Sequence, residues 1–442
     1  MTLSLFDSPL FGPLFSDPAV RYFDDEANLA ALLRFEAALA QVEGQLGIIP
    51  ASAATAIVQA CATLELAPTS LSAATAAVGN PIPGLVKALQ DAVGGEAAQF
   101  VHWGATSQDV IDTGLILRLR DYLVAVEGQL DQVIARLAGH AQAQQGQVMV
   151  ARTRSQQAVP TTFGLKIADG LAPLLRHRAR LQELKGRLFM LQFGGAAGSL
   201  SALGDAGLAV ADALANQLDL TNPMMSWHSQ RDSLAELAGW LSLVSGSLGK
   251  MAGDLILLGQ SEVQEVSAGV GGGSSTMPQK ANPVSAEIVQ ALARVNAGLV
   301  GQLHQTLLHL QERDGATWSQ EWLVLPQMAV ATAAALRHAL GLDDSLAANP
   351  QAMSDNLASA KGLLMAEAAA FAIARHLPKP QAQALLKTAC RTALAEQRPL
   401  QEILAESTDL PLDWDAVFDP ATYLGVADDL VRRVVAEANK NK

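Results

Sequence analysis

The chain has 442 residues, half of them hydrophobic and 17% charged, enough apolar mass for a large core and incompatible with wholesale disorder. Lys and Arg number 30 against 43 Asp and Glu, a formal charge of −13 that argues against non-specific binding to nucleic acid or an anionic membrane. Aromatics are only 5% while Ala and Leu abound, an alphabet that favours close-packed helices over sheets.

The first twenty residues carry no positive side chain before Arg21 and are broken by Pro9 and Pro13, which does not read as a signal peptide. Cys61 and Cys390 form no CxxC and no disulfide framework, in keeping with a reducing compartment. The most apolar run, 323–336, is cut by Pro326 and Gln327 and stopped by Arg337, short of a membrane span. The expectation is a cytoplasmic protein.

Residues 25–45 place Leu29, Leu32, Leu33, Phe35, Leu39 and Val42 near one helical face. Turns at Ile49-Pro50, Gly79-Asn80-Pro81 and Gly94-Gly95 divide the remainder of the N-terminal region. From 107 to 146, Leu115, Leu119, Leu123, Val126, Leu130, Val133 and Leu137 recur every three or four residues, predicting one long helix. Further long helices are predicted at 161–192, with Pro173 as a kink, and at 232–266, 284–311 and 325–342. Asn349-Pro350 marks a break, after which shorter helices are expected. The fold class is therefore all-α with three helical domains: 1–105, a central bundle of long helices at 106–350, and 351–442.

The stretch 269–283 has four glycines in its first five residues, a composition that cannot hold a helix and suits a mobile loop. Ser274 and Ser275 follow, then Lys280, then Asn282-Pro283, which reads as an N-cap and first helical residue. No GxxxxGK[ST] frame fits, so this is not a nucleotide P-loop, and a plain flexible linker is the simplest local reading.

The string GSSTMPQKANP, however, resembles the SSxMPxKxNP signature of the fumarase, aspartase and argininosuccinate lyase superfamily at every fixed position. Residues 102–113, HWGATSQDVIDT, are similar to that superfamily's first signature segment, and 152–156, RTRSQ, to its second, usually Thr-His-x-Gln. FGGAAGS at 193–199 looks like the glycine-rich turn beyond that segment's helix. The resemblance runs in order through essentially the whole chain. It implies elimination or addition β to a carboxylate through a stabilised carbanion, with a homotetramer and active sites shared between subunits.

Carried over residue by residue, the resemblance makes Ser274 the proton-transfer group, with Ser275 as the alternative. Lys280 and Asn282 become carboxylate ligands, and Thr106 and Ser107 a carboxylate-binding pair at a helix N-terminus, where a Thr106–Asp109 capping box is the structural alternative. His102, Arg152, Gln156, Arg231 and Arg313 are further substrate-contact candidates. No cofactor and no metal are implied, and the remaining histidines make no HExxH or similar spacing.

One departure narrows the chemistry. Arg154 stands where most members carry the histidine, and an arginine stays protonated and cannot act as general acid–base. That suits a leaving group which is already a stable carboxylate, as in lactone opening and closing. The chain most resembles the lactone-forming cycloisomerase branch, whose substrate is a small tricarboxylate. An adenylosuccinate-type lyase is the alternative, lacking its histidine here.

Overall fold

The computed structural model describes residues 5–267, 272–273, 277, 280–343 and 345–440. Helix α1, Asp25–Gln45, is capped by Asp24, whose carboxylate accepts the Ala27 N–H at 2.8 Å. Its Leu32, Phe35, Leu39 and Val42 are buried, as their spacing predicts. Helix α2, Ala51–Thr63, approaches so closely that a Cβ on Gly44 would lie 2.4 Å from that of Ala54. Helix α3, Ile82–Val93, comes after the turn at Gly79, which takes φ 87°.

The buried face of α1 also carries two acids, Glu36 and Glu43. Both Glu43 carboxylate oxygens lack a partner among the described residues, and burial, with the charge of Glu36 second, pushes its pKa up to about 8. The folded state therefore holds a proton there that the unfolded chain releases above its ordinary value of 4.5, so stability falls as pH rises from 4.5 through about 8. Glu43→Gln, neutral and of the same shape, is expected to raise Tm at pH 8 by about 2–4 °C or more, with no gain at pH 4.5. Thermal melts at the two pH values check this.

The long helices are α4 Ser107–Ala143, α5 Phe163–Leu188, α6 Gly207–Leu218, α7 Asp232–Leu258, α8 Val284–Gln305 and α9 Gly315–Asp343. The repeating apolar residues of α4, Leu115 through Leu137, are all buried. Helix α7 stops at Leu258, short of the expected 266, and the chain turns before Val266–Ser267 pairs antiparallel with Ala347–Ala348. Helix α9 begins at 315 rather than 325 because Asp314 caps it, accepting the Ala316 N–H at 3.0 Å and the Thr317 hydroxyl at 2.9 Å. Pro326 sits inside it. Helices α7 and α9 are long and apolar enough to cross a bilayer, but Trp240, Leu241, Val244, Met328 and Leu336 on them are buried in the core.

Between α4 and α5 lies a hairpin that helical periodicity did not foretell. Strand β1, Val148–Thr153, pairs antiparallel with β2, Gln156–Thr162, in the register Val148↔Thr162 to Thr153↔Gln156, with an irregularity between Val150 and Arg152. After α9 come α10 Pro350–Ser359, α11 Ala366–Ile373, α12 Lys379–Glu396, α13 Leu400–Ser407 and α14 Ala427–Ala438. Ile373, Ala382, Ala389, Leu400 and Leu404 form a local core there, with Trp414 and Phe418 packed against it.

By contact, the chain groups into two compact units. One comprises 1–129, 177–246 and 292–337; the other comprises 130–176, 247–291 and 338–442.

Candidate active site

In the first unit the candidate residues gather at the start of α4. Asp109 is fully buried in its first turn, and its carboxylate accepts the N–H of Thr106 at 3.0 Å, of Gly194 at 2.9 Å and of Gly195 at 3.0 Å. It also takes the Nε2–H of buried His228 at 2.7 Å and the Gln192 amide at 3.3 Å. One carboxylate thus ties the Thr-Ser segment to the glycine-rich turn. A Cβ on Gly194 would lie 2.5 Å from the Ser226 hydroxyl, which explains a glycine at that position. The capping box is half made: Asp109 reaches back to Thr106, while the Thr106 hydroxyl accepts instead from Arg313 Nη1 at 2.8 Å. Arg313 Nη2 donates to the Ala196 carbonyl at 2.6 Å, and the side chain is otherwise exposed. A cation and a hydroxyl meet there at the start of a helix, an arrangement suited to a carboxylate.

His102 precedes this segment with a left-handed φ of 62°. Its Nδ1–H donates to buried Glu36 at 2.6 Å. Burial opposes its charge, but the charge and hydrogen bond of Glu36, helped by Asp109, outweigh burial and raise its pKa. Its immediate role is to pin the loop before α4 to α1, leaving Nε2 as the one ring nitrogen able to face a ligand.

Arg231 is not a substrate contact. Its side chain is buried, with Nε and Nη2 on Glu321 at 2.8 and 2.5 Å, Nη1 and Nη2 on Asp112 at 2.7 and 3.2 Å, and its guanidinium 4.7 Å from the Trp227 ring centroid. With a further bond from Nη1 to the Trp227 carbonyl, every guanidinium N–H is consumed inside the protein.

In the second unit the hairpin and the ends of the glycine-rich loop carry the candidates. Arg152 is committed on one edge: it binds buried Glu265 bidentately at 2.7 and 2.9 Å, and Asn356 shares that carboxylate at 2.9 Å. It anchors β1 through its Nη1/Nη2 edge, while its Nε–H has no partner among the described residues. Arg154 is the opposite case. With Ser155 it forms the two-residue turn of the hairpin, at φ 52° and 64°, the left-handed pair of a type I′ turn that normally takes Asn-Gly. Two non-glycine residues there cost about 1–2 kcal/mol each. The Arg154 side chain is exposed and has no hydrogen-bond or ion-pair partner among the described residues. Gln156, also exposed, donates to the Ser155 carbonyl at 3.3 Å.

Ser274 and Ser275, and most of the predicted mobile loop 269–282, lie outside the described residues. The loop's ends are paired, Gly272 with Asn282 and Gly273 with Ala281, so the segment containing both serines leaves from and returns to one short ladder. Asn282 is therefore a ladder residue rather than the helix cap; the Pro283 carbonyl accepts the first α8 bond, from Glu287 at 3.0 Å. Lys280 is exposed, and its N–H donates to the Met277 carbonyl at 3.0 Å.

A family profile described as Lyase matches residues 16–298, and one described as Adenylosuccinate lyase C-terminus matches 362–434. The chain belongs to the fumarase/aspartase superfamily of lyases. Among relatives of this lyase, a 3-carboxy-cis,cis-muconate cycloisomerase of Pseudomonas aeruginosa is 44% identical over 95% of this chain and 94% of its own. Trans-aconitate decarboxylase 1 of Mycosarcoma maydis is 38% identical over 96% of this chain and 88% of its own. The crystal structure of 3-carboxy-cis,cis-muconate lactonizing enzyme from Pseudomonas putida superposes with a TM-score of 0.91 at 41% identity, covering 98% of this lyase and 99% of that chain.

The pairing of Asp109 with His228 is the part of this constellation least legible in the sequence. The Asp of TSQD pointed to a cap, and nothing in the sequence around His228 announces that it closes on that Asp across 119 positions.

Proposed function

We propose that this enzyme closes 3-carboxy-cis,cis-muconate to 4-carboxymuconolactone. The observation that carries the reading is Arg154, an exposed cation at the hairpin tip with no partner among the described residues, at the position where the family resemblance expects the acid–base histidine. The full-length similarity to cycloisomerases supports it.

In the chemistry proposed, the C6 carboxylate oxygen of the substrate attacks C3, the carbon that bears the third carboxylate and becomes C4 of the lactone, and a C–O bond forms. The π electrons move to the neighbouring carbon, whose own carboxylate delocalises the charge, and a proton from the Ser274 hydroxyl completes the product. Solvent returns the proton to the serine. The attacking group is already an anion, so no base is needed to generate it, and a fixed cation serves better than a titrating imidazole. Arg154, Lys280 and Asn282 are assigned to substrate carboxylates, with Thr106, Ser107 and Arg313 as a second anion-binding group and His102 and Gln156 at the periphery.

The same reading makes the enzyme a cytoplasmic homotetramer with shared sites and the 106–350 segment as its core. Exposed Leu243, Val295 and Leu323 on α7, α8 and α9 are the apolar surface such an assembly would cover.

Closure run in D2O is expected to give lactone with one non-exchanging deuterium on the carbon beside the new C–O bond. Lactone without deuterium contradicts carbanion protonation. Arg154→His, assayed at pH 8 where the imidazole is largely neutral, is expected to raise KM about 10–100-fold, the worth of one charge-assisted bond of about 1.5–3 kcal/mol. An unchanged KM would remove Arg154 from the binding role.

A further inference from the structure

The first unit contains a half-buried cation that the site above does not use. Arg118 lines a cavity of 280 Å³ with Phe23, Asn28, Ile111, Leu115 and Trp322. Its only hydrogen bonds among the described residues are long ones to backbone carbonyls, Nε to Gly114 at 3.4 Å and Nη1 to Tyr22 at 3.5 Å. No carboxylate there lies within ion-pair distance, in contrast to Arg152 and Arg231, which each hold theirs bidentately. Burial pushes the Arg118 guanidinium down to about 10, with the charge of Asp24 acting the other way, and it remains a cation at neutral pH.

The other lining groups restrict what could pair with it. Two acids border the cavity, Asp25 and Glu321. Glu321 shares the single charge of Arg231 with Asp112, and exposed Asp25 has no ion-pair partner among the described residues, so both oppose a second negative charge on a ligand. Asn28 is half-buried with no side-chain partner among the described residues, and supplies an amide donor. The rest of the wall is apolar, with Trp322 braced edge-on against Trp318 at 4.7 Å between centroids. An apolar cavity of about 150 Å³ holds a benzene ring, so 280 Å³ accommodates a ring with a carboxylate.

We propose that this cavity binds a small monocarboxylate with a planar apolar body, its carboxylate on Arg118 and Asn28 and its body against Phe23 and Trp322. The site does not depend on the reaction assigned above.

Calorimetric titration of the full-length protein with benzoate tests it, alongside benzamide, which has the same shape without the charge, and inorganic phosphate. The expected result is one benzoate per chain, with benzamide at least tenfold weaker and no phosphate binding. Arg118→Gln and, separately, Asn28→Leu should each weaken benzoate at least tenfold, so the second variant decides if the first does not fold. Arg154→His should leave benzoate affinity unchanged. Absence of benzoate binding, equal binding of benzamide, binding of phosphate, or insensitivity to the cavity variants overturns the proposal. So does a loss of benzoate affinity in Arg154→His, which would place benzoate in the reaction site instead.

Discussion

Arg231→Ala is expected to destabilise the protein by at least about 3–5 kcal/mol. Asp112 and Glu321 would remain buried with their shared counter-charge gone, and burial already raises the Glu321 pKa against the pull of Arg231. The remaining donors to Asp112, the Trp318 indole at 2.9 Å and the Gln108 amide at 3.1 Å, are neutral and do not replace a guanidinium. Arg231→Lys should recover little, because one ammonium cannot present two forks to two carboxylates. Removing the charges together, as Arg231→Met with Asp112→Asn and Glu321→Gln, should recover a substantial part of the loss. Soluble yield and thermal melts report all three. An Arg231→Ala protein melting within a few degrees of wild type would show that the network is not structural.

Ser274→Ala is expected to lower kcat about 10²–10⁴-fold, the usual worth of a positioned proton donor, while KM for the diene changes little. The alanine removes the proton and none of the cations assigned to substrate carboxylates, so binding and chemistry should separate. Ser275→Ala is the matched control. If it carries the loss and Ser274→Ala does not, the two serines exchange roles and the rest of the assignment stands.

Much of the fold was legible because helical burial leaves a period in the sequence. The stripe from Leu115 to Leu137 is buried along α4, and Leu32 to Val42 along α1, as the spacing demanded. The start of α9 was missed because its signal is a single capping aspartate ahead of an aromatic, polar first turn, which hydrophobic periodicity does not register. The hairpin was missed for a related reason: its turn is Arg-Ser, without the Asn-Gly that announces type I′ geometry.

The site was legible where chemistry sits in contiguous motifs and illegible where it depends on distant pairing. Thr106 and Arg313 were both singled out, yet nothing in either neighbourhood states that they meet at 2.8 Å. Four arginines were candidates. Glu265 pairs with one edge of Arg152, Asp112 and Glu321 claim Arg231, Arg313 reaches Thr106, and Arg154, displayed on a turn, has no partner among the described residues. A sequence supplies the cations; only the fold says which are already spoken for.

The most direct test is the ultraviolet absorbance of 3-carboxy-cis,cis-muconate mixed with the purified wild-type protein, since ring closure destroys the conjugated diene. Rapid loss of the band, with 4-carboxymuconolactone as the product, is the predicted result. A stable band in the presence of folded protein that turns over trans-aconitate or adenylosuccinate would contradict the cycloisomerase assignment.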